Sequence, residues 1–154
     1  MTHQPRWWLL AAALFVVLLG GCEAVDKARM KLLGVTVSDP EPETAEWVLR
    51  EALLAGIEPE EEKGWERFQK VLHSQERTVA ALNSWRQFGW PRIRKQAKNY
   101  LDDDGRFVLR DFRTLQNDGI DSFLDNHTRE LPTPCSVYMD YDNNKLWRIK
   151  RCSL

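Results

Sequence analysis

The sequence predicts an α+β domain in which N-terminal helices pack on a C-terminal antiparallel sheet of about four strands. Three observations predict it. Apolar residues recur at helical spacing from Thr44 to about Leu101. Beyond Asp102-Asp103-Asp104-Gly105 the apolar runs shorten, first to Phe107-Val108-Leu109 with Phe112, then to Ile120 with Phe123-Leu124. Two turn clusters, Asn117-Asp118-Gly119 and Asp142-Asn143-Asn144, punctuate this second half. Helices first and strands second is the order of an α+β fold.

Composition bounds the rest. The chain has 154 residues, 22 Lys+Arg against 23 Asp+Glu, and 43% hydrophobic residues, but Trp7 to Gly21 carries no charge at all. Set apart, that stretch leaves Cys22 to Leu154, enough for one domain with a real core and too little for two. The near-neutral charge excludes a strongly basic nucleic-acid binder, and the modest Gly and Pro content excludes a mainly disordered chain.

Met1 to Arg6 is a short polar segment with one positive charge, and Trp7 to Leu19 is a continuous apolar run behind it. This is the layout of a secretory signal peptide, 1–21, to be cleaved. A spanning helix needs about 20 apolar residues, and this run is shorter and ends in small residues. It closes Leu19-Gly20-Gly21-Cys22, which resembles the lipobox of bacterial lipoproteins. The resemblance implies that Cys22 becomes the mature N-terminus and carries several acyl chains, so that membrane lipid is a partner through Cys22. Two or more chains anchor stably where one does not. It also implies a bacterial envelope location. Glu23 stands where an aspartate retains such proteins in the inner membrane of enterobacteria-like systems, so the outer membrane is favoured, with the domain facing the periplasm. The alternative is an ordinary signal cleaved near Gly21, with Cys22 a bystander.

Residues 22–43 read as a lipidated tether, kept extended by Ser38-Asp39-Pro40-Glu41-Pro42-Glu43. The domain then runs over 44–154. Thr44 to Ala55 sets Ala45, Val48, Leu49, Ala52 and Leu53 on one helical face, with Gly56 as a stop. Pro59 and Glu60-Glu61-Glu62 start a second helix, whose buried face is Trp65, Phe68, Val71 and Leu72. Ser74 caps a third helix through about Phe88, with Thr78, Ala81, Leu82 and Trp85 inward and Gly89 ending it. Pro91 opens a basic fourth helix that buries Ile93, Ala97, Tyr100 and Leu101.

With Cys22 set aside, Cys135 and Cys152 form an even remainder in a chain bound for an oxidising compartment, which points to a disulfide. Ser136 to Tyr141 and Lys145 to Lys150 flank the turn cluster as a hairpin. If Asn143-Asn144 is the loop, Asp142 faces Lys145 and the same register sets Cys135 opposite Cys152. They fall in the non-hydrogen-bonded class, where Cα atoms approach to about 4.5 Å, within disulfide reach. That register separates Val137 and Met139 from Trp147 and Ile149, so either both faces are covered or a bulge lies between turn and disulfide. Free thiols are the alternative.

Helices followed by a meander that ends in Leu146-Trp147-Arg148-Ile149 resemble the nuclear transport factor two-like, or cystatin-like, α+β cone. The resemblance spans Thr44 to Leu154 and implies helices wrapped by a curved sheet. Enzymes of that family use an Asp or His base in an apolar pocket, and this sequence singles out no such residue.

No catalytic, metal or cofactor site emerges. His73 and His127 are far apart and read as surface or helix-end residues. Asp102 to Gly105 lacks the alternating acids of a calcium loop and reads as a solvated turn. Ser, His and Asp residues show no spacing that singles any out. Of the tryptophans, Trp90 is the hardest to assign to a core, since it sits between Gly89 and Pro91 beside Arg92, Arg94, Lys95 and Lys98. That corner is the candidate partner surface, suited to an envelope protein, an anionic polymer or lipid head groups and not to nucleic acid. The reading is a lipid-anchored binding module. A cone-fold ligand carrier or enzyme using a buried carboxylate is the alternative, and an assembly factor or pilotin for an envelope machine is an analogy of format.

Overall fold

A computed structural model describes residues 33–128 and 131–154. The signal 1–21, the lipobox Cys22 and the tether as far as residue 32 lie outside the described residues. The elements in order are β1 (Val35–Val37), α1 (Ala45–Ile57), α2 (Glu61–Val71), a 3₁₀ turn (Ser74–Arg77), α3 (Val79–Ser84), a π turn (Trp85–Gly89), α4 (Trp90–Gln96), a 3₁₀ turn (Ala97–Asn99), β2 (Phe107–Leu115), β3 (Gly119–Leu124), β4 (Thr133–Asp140) and β5 (Leu146–Cys152). The strands form one antiparallel sheet in the order β1-β2-β3-β4-β5. The fold is α+β, helices on sheet.

The sheet has five strands, where about four were expected, because β1 comes from the segment read as tether. Val35, Thr36 and Val37 pair with Leu109, Val108 and Phe107. Glu43, further along, reaches the buried Arg148 at 2.5 Å. The residues from Val35 onwards are therefore part of the folded unit, and the boundary at residue 44 lies too late. Three residues leave no period to detect, so this strand is set by its partner and not by its own pattern.

Helix α1 is central, touching α2, α4, β4 and β5. Thr44 caps it by accepting from the Trp47 amide at 3.2 Å. Ala45, Val48, Leu49, Ala52 and Leu53 are buried, as their spacing predicts. Gly56 does not stop the helix, which runs on to Ile57. A Cβ on Gly56 would lie 2.6 Å from the Ala97 Cβ, so this glycine lets α1 and the end of α4 approach closely. Phe68, Val71 and Leu72 are buried as expected, with Trp65 partly so.

The third helix differs from expectation in its cap and in its end. Thr78, not Ser74, caps α3 by accepting from the Ala81 amide at 3.3 Å. Gly89 does not end the helix. The backbone stays helical through Ser84, Trp85, Gly89 and Trp90, and the Trp90 amide donates to the Trp85 carbonyl, the i to i+5 bond of a π turn. Five residues of regular α-helix would leave Trp85 and Trp90 about 140° apart. The wider turn brings both onto Phe68, with ring centroids 5.4 and 5.3 Å away. Gly89 is required there, because a Cβ would lie 2.3 Å from the Trp85 ring.

In the last hairpin Cys135 faces Cys152, with Cα atoms 4.2 Å apart and the sulfur atoms bridged. A bulge lies between Ser136 and Val137 on the ladder, so that Val137 pairs with Ile149 and Met139 with Trp147. Of the two resolutions open to the sequence, the bulge is the one adopted, and it unites the apolar sets. The tip is longer than a two-residue loop. Asp140 pairs with Leu146, so Asp142 does not face Lys145, and Asn144 and Lys145 take the left-handed conformation.

Candidate functional site

The expected partner corner is taken apart by the fold. Trp90 is 1% exposed and sits in the core between Trp65 and Phe68, with its indole N–H buried and without an acceptor. A tryptophan between glycine and proline reads as a loop corner, but the π turn continues the helix and carries it inward. Arg94 is half-buried and donates to the Gly56 and Glu58 carbonyls at the end of α1, with its guanidinium 5.9 Å from the Trp90 ring centre. It caps a helix C-terminus, where a cation complements the dipole. Arg92, Lys95 and Lys98 remain exposed. Of the five residues, Arg92 borders a cleft.

That cleft is a groove of about 480 Å³ between the α3–π–α4 helix and the end of β5. Its floor holds the Trp85 ring and Cys152, and its margins hold Phe88, Arg92, Lys150 and Arg151. The π turn explains Phe88: with Trp85 and Trp90 both turned to the core, Phe88 between them is one of the residues left in solvent, at 60% exposure. Glu76 also borders the groove, but its carboxylate accepts the Trp85 indole N–H at 3.0 Å. The groove is thus apolar in its floor and cationic at its rim. Sequence reasoning missed Phe88 and Arg151 because it closed the helix at Gly89 and left the β5 terminus without a neighbour.

A second cluster gathers around Asp140, which is fully buried at the end of β4. Its carboxylate accepts the Ser74 amide at 2.7 Å and the Ser74 hydroxyl at 2.8 Å, with Arg77 at 3.8 Å and the His73 Nε2 at 3.9 Å. Burial pushes this carboxyl up, but the Ser74 hydroxyl and amide, then His73 and Arg77, outweigh it and hold it below the usual carboxylate range. His73 is the helix-end residue expected, capping the 3₁₀ turn with its Nδ1 accepting the Gln75 amide at 3.2 Å, but it is buried and not at the surface. Serine, histidine and aspartate meet here in the wrong order for nucleophilic catalysis. A triad needs the hydroxyl bonded to imidazole and imidazole N–H bonded to carboxylate, whereas Ser74 donates straight to Asp140. Nor is Asp140 a raised-pKa acid of the kind a cone-fold enzyme uses. It pins the α2–α3 connection to the last hairpin.

Asp102 accepts the Arg106 amide at 2.9 Å, the Arg106 Nε at 2.7 Å and the Asp104 amide at 3.0 Å, closing a tight turn with Gly105 at φ +71°. Those bonds, the Arg106 amide first, hold its carboxyl below the usual range. Among the described residues no group of three or more His, Cys, Asp or Glu is placed to hold a metal ion, and no helix is long and apolar enough to cross a membrane. Compared with models of protein families, with curated proteins and with solved structures, the chain finds no match.

Proposed function

We propose that this chain is an exported, lipid-anchored envelope protein whose periplasm-facing domain works by binding another envelope component. Its anchor is Cys22 behind the Leu19-Gly20-Gly21 lipobox, with membrane lipid as partner and the outer membrane as location. The binding role rests on one observation: Phe88 is held in solvent by the π turn, at the mouth of a groove rimmed by Arg92 and Arg151. A large aromatic fixed in water beside arginines has the composition of a contact surface. The carrier, enzyme and pilotin readings find no comparable observation in their favour.

Intact-mass analysis of the exported protein tests the anchor, with a lipidated Cys22 N-terminus expected and a soluble, unmodified chain contradicting it. Affinity capture from crosslinked envelopes tests the binding role. A component recovered with wild type and lost with Phe88→Ser is expected, and identical recovery with both proteins counts against the groove.

A further inference from the structure

We propose that the groove takes an extended acidic segment of a partner protein, laid as a short added strand along the free margin of β5. The inference rests on the binding role proposed above and names the occupant. Three features carry it: an open strand margin, an apolar contact and a cationic rim.

The margin comes first. β5 is the last strand of the sheet, so among the described residues one side of it has no strand partner. Part of that side is already used as a docking edge: Leu72 bridges Ile149 in parallel, and the His73 amide donates to the Ile149 carbonyl at 2.9 Å. A piece of extended chain therefore already fits there. Past Ile149 the edge is bordered by the groove, from Lys150 to Ser153. The Ser153 amide donates inward to the Pro134 carbonyl at 3.2 Å. In an antiparallel ladder the neighbouring residue turns its backbone groups the other way, so the Cys152 N–H and C=O are directed outward. With the bulge at Lys150 and the Leu72 bridge at Ile149, this margin offers Cys152 as its outward residue, enough for a short added strand.

Side chains then select the segment. Arg92 from α4 and Arg151 from β5 give the rim two cations against one acid, Glu76, whose carboxylate accepts the Trp85 indole N–H, while Lys150 borders the groove with its ammonium over the Tyr138 ring. Acidic residues on the incoming strand match this rim, and basic ones are repelled by it. Phe88 and the Trp85 ring offer an apolar surface for one alternate residue of the strand. The concave shape and the outward backbone groups favour a chain segment over a lipid surface, which would meet neither.

The test is a fluorescence-polarisation titration of the disulfide-bonded domain. The probes are a panel of labelled ten-residue peptides alternating Asp or Glu with Val, Leu or Phe. The controls are the same peptides with Lys for the acids, versions with Pro at alternate positions to remove strand hydrogen bonds, and vesicles of phosphatidylcholine with phosphatidylglycerol. Saturable binding of acidic peptides is expected, at least about tenfold tighter than the Lys series, weakened by salt and by Pro, and reduced about tenfold by Arg92→Glu with Arg151→Glu. Both arginines are exposed, and an unchanged melting temperature shows that the variant is folded. Equal binding of Lys peptides, indifference to the arginine changes, absence of peptide binding at millimolar concentration, or binding of the vesicles alone overturns the proposal. If the titration fails while Phe88→Ser still loses its captured component, the occupant is wrong and the binding role stands. If both fail, the binding role falls as well.

Discussion

At the scale of single residues, Asp140 shows how a group with catalytic potential is committed to structure. Its oxygens take two bonds from Ser74 and lie beside Arg77 and His73. Replacement by alanine leaves the half-buried Ser74 amide without its acceptor and the hydroxyl with Asp142 at 3.4 Å, a cost of about 1–3 kcal/mol, measurable by urea denaturation. The pH dependence has a definite sign. The folded-state pKa lies below the unfolded one, so this contribution is complete above the ordinary carboxylate range and is lost as pH falls through the lowered value. Asp140→Asn is expected to flatten that acid limb, and an unchanged acid profile contradicts the assignment. None of this was legible beforehand, since Ser74 reads as a helix cap and Asp140 as one more residue of a hairpin. What joins them is a contact across the fold between residues far apart in the chain.

At the scale of elements, periodicity carried α1, α2 and the buried side of α4, because each buries one continuous stripe. It failed where glycine was taken as punctuation. Gly56 and Gly89 are places where another atom needs the space of a Cβ, Ala97 in one case and the Trp85 ring in the other. A close-approach glycine and a stop look alike in one sequence. The π turn follows from that, and with it the inward Trp90 and outward Phe88. Gly89→Ala is expected to cost about 1–3 kcal/mol by overpacking and to move Trp85, read as a change in tryptophan emission. Trp90→Ala is expected to cost about 3–5 kcal/mol as a core cavity, which makes it unsuitable as a surface probe. A destabilisation below about 1 kcal/mol in either variant contradicts the packing described.

At the scale of the whole molecule, the order of helices before sheet was legible from the change of apolar period near Asp102. The Cys135–Cys152 pairing was legible from the even cysteine remainder, but counting from a two-residue turn reached it because the longer tip and the bulge offset one another. The edge strand β1 was not legible, since its three residues are specified by β2. The disulfide ties the strand that borders the groove to its neighbour, closing a loop with a sequence separation of 17. Replacing both cysteines by serine is expected to cost about 3 kcal/mol, and a loss under about 1 kcal/mol would show that the hairpin holds without it. The groove itself belongs to this scale, being assembled from a helix defect and the end of a strand that no local pattern connects.

The account depends most on that groove being where the domain meets its partner. A photo-crosslinking amino acid placed at Phe88, and separately at the exposed Thr114 of β2, tests this in the native envelope. The prediction is a discrete adduct from position 88 that maps to an acidic, extended segment of one protein, with none from position 114. An adduct from 114 alone, or none from either position, would contradict it.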